Sequence, residues 1–190
     1  MAVIVYYIII AVVVFEFVVD KVLEYLNSTY WSNEIPPELK DIYDEGKYKK
    51  SQDYEKVKTR FSLIFSVFSF GLILFMLIGG GFVWIDNVLR LYFDNIYILA
   101  LLFFGIIGLL YDILSTPFNI YSTFVIEQRF GFNKTKVNTY VFDKLKGYLL
   151  GLIIGGGILS LLIYIYQSTG SYFWLIAFVS LSLIRSEERR

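Results

Sequence analysis

The chain has 190 residues, of which 57% are apolar and 19% aromatic, and its 17 basic residues equal its 17 acidic residues in number. The apolar content exceeds the roughly 45–50% of ordinary soluble domains, which predicts a membrane protein. Balanced charge provides no positive field and excludes nucleic acid as a partner. Because the chain contains neither cysteine nor histidine, it lacks the usual zinc ligands and the usual general base, and we expect no cofactor or metal in this chain itself.

Five apolar stretches predict membrane-spanning helices. Crossing about 30 Å of hydrocarbon takes about 20 helical residues, and the first four stretches meet that length. The fifth is short, so it is either tilted among its neighbours or missing residues. The stretches are Ala2–Val19, Phe61–Ile85, Ile96–Thr116, Gly147–Tyr166 and Ser171–Ile184. The predicted fold is therefore all-α: a polytopic membrane bundle of about five transmembrane helices.

Basic residues alternate between the two sides of this bundle. The connections 20–60, 86–95, 117–146 and 167–170 and the tail after residue 184 carry eight, one, five, zero and three Lys and Arg residues in turn. Since basic loops are retained in the cytoplasm, we expect loops 20–60 and 117–146 there. The amino terminus then lies outside the cell or in a lumen.

Two connections carry signals that shape the helices. Pro36-Pro37 breaks the first connection, and Ser51 is a suitable N-cap for a helix that runs directly into the second span, about 50 Å in all. The charged residues of this helix before the second span form either a solvated face or a functional surface. Pro117 either ends or kinks the third helix. A kinked continuation could reach Arg129 before Gly131 stops it.

Three glycines, Gly147, Gly151 and Gly155, recur at four-residue spacing along the fourth span. Small residues at this spacing let two helix backbones approach closely in lipid. We interpret them as a helix-packing face rather than as a cofactor site.

The stretch from Leu114 to Gly151 contains Pro117-Phe118, a Tyr-x-x-Phe run, Glu127, the turn Phe130-Gly-Phe-Asn-Lys-Thr and a later Asp-x-x-Lys. Upstream lie Pro37-Glu38-Leu39 and Tyr48, Lys50-Ser51, Tyr54 and Lys58. In these features the chain resembles the amino-terminal region of the type I CAAX prenyl endopeptidases. The resemblance extends from about Glu16 to Ile184, so residues 1–184 are interpreted as that transmembrane region.

The resemblance implies a membrane zinc metalloprotease in which seven helices wall a hollow chamber and a zinc domain faces it. It further implies cleavage of carboxy-terminal CAAX segments of prenylated, or other membrane-associated, peptides. A chain without histidine cannot hold the family's catalytic zinc motif, so this chain alone is predicted to be inactive. The charged tail 185–190 does not resemble the family's continuation, which suggests a truncation. The expected partners are the lipid bilayer, a carboxy-terminal zinc protease domain and the peptide substrate.

On this resemblance Glu127, Asn133 and Lys134 are candidates for contacting the substrate or the zinc domain; the alternative is that they fix a helix-to-loop turn. Gln128 departs from the family, where an acid commonly follows Glu127. No catalytic residue is assigned. A rival hypothesis is a non-enzymatic binding or scaffold subunit that has lost the protease domain. A transporter is disfavoured because no inverted repeat is evident.

Overall fold

The structure is a computed structural model that describes residues 2–32, 34–35, 44–173 and 178. Most of these residues are helical, the others lie in turns and loops, and none of them forms a strand. The helices are α1 (Ala2–Thr29), α2 (Glu45–Ile78), α3 (Gly81–Arg90), α4 (Ile96–Tyr121), α5 (Val137–Leu150) and α6 (Gly156–Thr169). The all-α prediction is confirmed. The Pro36-Pro37 break, the tail 185–190 and most of the predicted fifth span Ser171–Ile184 lie outside the described residues.

Four helical stretches in the described chain are long and apolar enough to cross a membrane. They are Val3–Thr29, Glu45–Ile78, Ile96–Glu127 and Val137–Thr169. In each of these helices, at most 6% of the most apolar 18-residue segment is buried inside the protein. A water-soluble domain would bury these side chains, so their outward-facing surfaces need lipid or further helices around them. The chain is therefore an integral membrane protein.

Helix α2 begins earlier and ends earlier than the sequence suggested. Asp44 caps it, since its carboxylate accepts a hydrogen bond from the amide of Lys47 at 2.9 Å, and Ser51 lies within the helix. The 34 residues of α2 correspond to about 51 Å of continuous helix. Its end at Ile78 depends on the following glycines. Gly80 has a φ of 71°, and a Cβ at Gly81 would lie 2.5 Å from the sulfur of Met76.

Helix α4 continues through Pro117 instead of ending there. The hydroxyls of Ser115 and Thr116 both donate to the carbonyl of Asp112, at 3.1 and 2.6 Å. Such hydroxyl bonds to the preceding turn adjust a helix locally next to a proline. Beyond α4 the helix widens to a π-helical stretch, Ser122–Glu127, and helical backbone extends to Arg129.

Two compact units divide the chain, and the first comprises Met1–Asn87 and Gly108–Thr135. In it, α1 and α2 run antiparallel. The hydroxyl of Tyr6 donates to the carbonyl of Leu77 at 3.3 Å, and the rings of Phe17 and Phe70 stack with centroids 4.0 Å apart. Phe118 of α4 packs against three phenylalanines spaced along α2, with centroid distances of 6.1, 5.1 and 5.0 Å to Phe61, Phe65 and Phe68.

The second unit comprises Val88–Ile107 and Lys136–Arg190. Here the first half of α4 contacts α6: the hydroxyl of Tyr97 donates a hydrogen bond to Gln167 Oε1 at 2.9 Å. Leu101 lies beside Gly156, where an added Cβ would be 3.4 Å from its Cδ2. A second π-helical stretch, Gly151–Gly155, separates α5 from α6. Each unit thus packs mainly through aromatic side chains and small residues.

Candidate functional site

The helix that contains α4 ends in a tight turn built on one carbonyl group. The carbonyl of Glu127 accepts hydrogen bonds from the amides of Phe132 at 2.9 Å and Asn133 at 3.3 Å. Gly131 reverses the chain with a φ of 71°, and its amide donates to the carbonyl of Gln128 at 3.0 Å. This left-handed conformation strains any residue with a Cβ. The turn therefore fixes how the chain leaves the membrane helix.

The side chain of Asn133 closes the next part of the same turn. Its Oδ1 accepts a hydrogen bond from the amide of Thr135 at 2.6 Å, a typical Asx turn. Lys134 lies between these two residues and is exposed. The structure thus brings Glu127 and Asn133 together through the backbone and leaves the ammonium of Lys134 available to solvent.

An aromatic and cationic cluster, the Tyr54 cluster, holds this turn against α2. The ring of Tyr54 lies 5.6 Å from that of Phe130 and 4.7 Å from that of Phe132, measured between centroids. Lys50 Nζ lies 5.6 Å from the centre of the Phe132 ring, and Lys58 Nζ lies 5.2 Å from that of Tyr54. Cations over aromatic rings attract them electrostatically. The cluster consists of Lys50, Tyr54, Lys58, Phe130 and Phe132.

The carboxylate of Glu127 lies within electrostatic reach of a cation on α2. The ammonium of Lys58 interacts first with the side chain of Tyr54, and the carboxylates of Glu55, on its own helix, and Glu127, on the π-helical stretch, attract it more weakly. The carboxylate of Glu127 is half-buried and has this cation near it. In the described part of the chain, Glu127, Asn133 and Lys134 are arranged as a rigid, charged turn rather than as an acid–base pair with a nucleophile.

The residues of the chain do not fit a zinc site. Catalytic zinc is held by three protein ligands drawn from histidine, cysteine and carboxylates, and the sequence has no histidine and no cysteine. Within residues that the structure describes, no three acidic side chains come together.

The three glycines predicted to form a packing face have open space beside them. A Cβ built on Gly147, Gly151 or Gly155 would meet no atom within 4 Å. It is the neighbouring Gly156 that approaches another helix, at Leu101. The packing role of the first three glycines stays a prediction, and it requires a helix other than those described.

Sequence reasoning missed the two π-helical stretches, which carry no distinct residue pattern. It named Tyr54 and Lys58 without giving them a role. Tyr54 and Lys58 lie seven and three residues before the apolar run that begins at Phe61, and their aromatic and basic character was the available signal. What the sequence could not show is that Tyr54 contacts the rings of Phe130 and Phe132, more than 70 residues away.

The arrangement of helices and turn agrees with comparisons to known proteins. The family description "CAAX prenyl protease N-terminal, five membrane helices" matches residues 24–186. The chain belongs to the CAAX prenyl protease family. The resemblance recognised in the turn motif and the loop before α2 is thereby confirmed.

Relatives from distant organisms show the same family. The chain is 31% identical over 153 residues to CAAX prenyl protease 1 of Saccharomyces cerevisiae, covering 75% of this chain and 34% of that protein. It is 32% identical over 149 residues to the Caenorhabditis elegans homologue, covering 78% of this chain and 33% of that protein. It is 30% identical over 152 residues to the human homologue, covering 76% of this chain and 32% of that protein.

The crystal structure of S. mikatae Ste24p shares the fold of the chain. The two superpose with a TM-score of 0.77 and 25% sequence identity, over 92% of this chain and 42% of Ste24p. The chain spans about a third of the length of the curated relatives it matches.

Proposed function

We propose that the chain forms membrane-embedded walls of the chamber of a zinc endopeptidase that processes carboxy-terminal CAAX segments of prenylated or other membrane-associated peptides. One observation carries this proposal: the family match extends over residues 24–186. The fold likeness to Ste24p over 92% of the chain supports it. Four long helices with apolar surfaces facing outward are suited to enclosing a space together with further helices.

The catalytic machinery comes from residues outside this sequence. Histidine is absent from all 190 positions, so the two imidazoles and the adjacent glutamate of a typical zinc protease motif have to be supplied by another segment. The 190-residue chain by itself therefore hydrolyses nothing. Its contribution is to wall the chamber that admits the peptide substrate.

Glu127, Asn133 and Lys134 orient the zinc domain at the mouth of the chamber. The turn is fixed by the Glu127 carbonyl, by Asn133 and by the Tyr54 cluster, so Lys134 projects from a rigid base. An exposed ammonium on a rigid turn can bind a carbonyl or carboxylate of the substrate or the domain. Gly147, Gly151 and Gly155 pack against one of the family's further helices.

The proposed orientation places Met1 outside and loops 20–60 and 117–146 in the cytoplasm. Impermeant maleimide labelling of a cysteine at Lys50 tests it, because the natural chain has no cysteine. We expect labelling only after the cells are opened, and a cysteine at Asp94 should react in intact cells. Labelling of position 50 from outside would reverse the orientation.

A chimera tests the function directly. The matched amino-terminal third of the Saccharomyces cerevisiae relative is replaced by residues 24–186 of this chain, and cleavage of a farnesylated CAAX peptide by the purified chimera is measured. We expect cleavage that a zinc chelator abolishes and added zinc restores. The 190-residue chain, purified the same way, should give no cleavage.

A matched control replaces the same third by an unrelated membrane segment with equally many spans, which should not support cleavage. A chimera that elutes as a single species and holds zinc but leaves the peptide intact would contradict the chamber role. Stoichiometric zinc bound to the 190-residue chain alone would contradict the assignment of the ligands to another segment. Prenylated-peptide binding without cleavage would favour the scaffold alternative.

A further inference from the structure

The three helices of the first unit, α1, α2 and the second half of α4, lie side by side with α2 in the middle. Phe70 of α2 stacks on Phe17 of α1, and Phe61 of α2 packs against Phe118 of α4. These two phenylalanines of α2 are nine residues apart, which is half a turn at about 100° per residue. Helices α1 and α4 therefore contact opposite sides of α2, and both run antiparallel to it.

Each of the three helices carries a strip of polar residues about a quarter of a turn away from the residues that contact its neighbours. On α2, Ser62, Ser66 and Ser69 recur at helical spacing between the phenylalanines that face α1 and those that face α4. The flanking helices carry acids, amides and a hydroxyl in their strips: Glu16, Asp20 and Asn27 on α1, and Asp112, Ser115 and Asn119 on α4.

The right-handed turn of each helix places the three strips on one side of this row, which we call the polar side. Viewed from the Asp44 end of α2 with α1 on the left, each strip faces downward. The upward side carries exposed apolar side chains, among them Val18, Val22, Ile64, Val67, Leu110 and Leu114. A wall of this kind suits lipid on its apolar side and water on its polar side.

Two carboxylates of the polar side lie near the middle of the bilayer. Glu16 precedes Phe17, whose partner Phe70 is nine residues from the start of the apolar run of α2 and eight from the end of that helix. Those separations correspond to about 12–14 Å in each direction. Asp112 lies six residues before Phe118, whose ring packs against α2 five residues before Phe70, so it reaches the same depth. Ionised groups at this depth face water or a partner rather than lipid.

The wall is acidic at membrane depth. Its segments level with the apolar run of α2 contain four carboxylates and one ammonium, a net charge of −3: residues 9–26, 61–78 and 108–122. The ammonium belongs to Lys21, which is bound by Glu24 Oε2 at 2.6 Å and by Asp20 Oδ2 at 3.1 Å. Glu16 is exposed, so its charge faces the space beside the wall. Low-dielectric surroundings strengthen the field of such a surface.

We propose that the polar side lines the interior of the chamber and binds basic segments of the peptide substrate, with Glu16 as a contact for their lysine and arginine side chains. Carboxylates and amide oxygens accept hydrogen bonds from ammonium and guanidinium groups, and the charge on one partner strengthens these bonds. An uncharged peptide gains no such attraction. The inference rests on the proposed function, because it needs the remaining helices to close a chamber around this side.

Thiol reactivity tests which side of the wall is wet. The chimera described above is used, with the cysteines of its Saccharomyces cerevisiae part replaced by serine. Glu16→Cys and Asn119→Cys probe the polar side, and Val18→Cys and Leu114→Cys probe the apolar side of the same two helices. We expect a charged methanethiosulfonate to modify the first pair at least about tenfold faster, because hydrocarbon excludes the reagent. Equal rates, or faster modification of the second pair, would overturn the assignment of the polar side.

Peptide preference tests the role of the charge. Two farnesylated CAAX peptides that differ only in carrying three lysines or three glutamines upstream are cleaved by the chimera, and their kcat/KM values are compared. We expect the lysine peptide to be preferred by at least about tenfold, less so at high salt. In Glu16→Gln this preference should fall by at least about threefold, since one ion pair contributes about that much.

Two matched variants keep the result interpretable. Glu16→Asp retains the charge and should retain most of the preference, which separates loss of charge from loss of folding. Glu45→Gln removes a carboxylate from the projecting end of α2 and should behave like the parent chimera. Equal cleavage of both peptides, or an equal change in the two glutamine variants, would overturn this inference and leave the proposed function standing. No cleavage of either peptide would contradict the proposed function and this inference together.

Discussion

Replacing Gly131 by alanine tests whether the turn after α4 depends on its left-handed backbone. Gly131 has a φ of 71°, and a Cβ there would lie 3.4 Å from Lys50 Nζ. An L-residue in this conformation costs about 1–2 kcal/mol, and the flexible lysine end can move aside at little further cost. We therefore expect Gly131→Ala to destabilise the protein by about 1–2 kcal/mol.

The measurement is thermal unfolding in detergent, followed by fluorescence-detected size exclusion. For a chain of this length 1 kcal/mol corresponds to about 2–4 °C, so the midpoint should fall by several degrees. Gly131→Asn should fall less, because asparagine tolerates the left-handed region. The matched control is Gly71→Ala in α2. A Cβ there meets nothing within 4 Å, so the better helix propensity should raise the midpoint slightly.

The signs of these shifts decide the outcome. An unchanged or raised midpoint in Gly131→Ala, in a preparation where Gly71→Ala behaves as expected, would refute the assignment of strain to this turn. A fall in both variants of equal size would indicate a general sensitivity to added methyl groups.

Three further substitutions test the packing of the first unit and its turn by the same thermal assay. Tyr54→Ala should lower stability by roughly 1–3 kcal/mol through the loss of ring contacts such as that with Phe132, whereas Tyr54→Phe should cost little; equal losses would contradict a packing role. Phe118→Ala should lower the free energy of unfolding by roughly 3 kcal/mol because the ring packs against three phenylalanines of α2. A loss smaller than that of Tyr54→Phe would refute this packing role. Asn133→Ala should cost about 1 kcal/mol by leaving the Thr135 amide without its acceptor, and Asn133→Asp should restore it; a neutral alanine variant would show that the Asx turn is dispensable.

Apolar runs and loop charges predicted the helices but not their ends. The run from Phe61 to Ile85 contains no charged residue, yet α2 ends at Ile78, because Gly80 takes a positive φ and a Cβ at Gly81 would meet Met76. Hydropathy averages over a window and does not register one backbone angle. In the same way the Asp44 cap was missed because acidic residues near a charged segment are common.

The turn residues were predictable from the family resemblance, and their surroundings were not. Glu127 and Asn133 share a turn through backbone bonds, which local sequence can indicate. The contact of Tyr54 with Phe132 spans 78 positions, and nothing in one sequence pairs them.

Helix α2 has a mechanical consequence for the whole first unit. Its 34 residues form about 51 Å of unbroken helix, about 20 Å more than a hydrocarbon layer needs. The projecting end carries the Tyr54 cluster and the embedded end carries Phe70, stacked on Phe17. Because a long helix without a kink curves only gently, α2 joins the charged turn and the Phe17–Phe70 stack in one continuous element of the first unit.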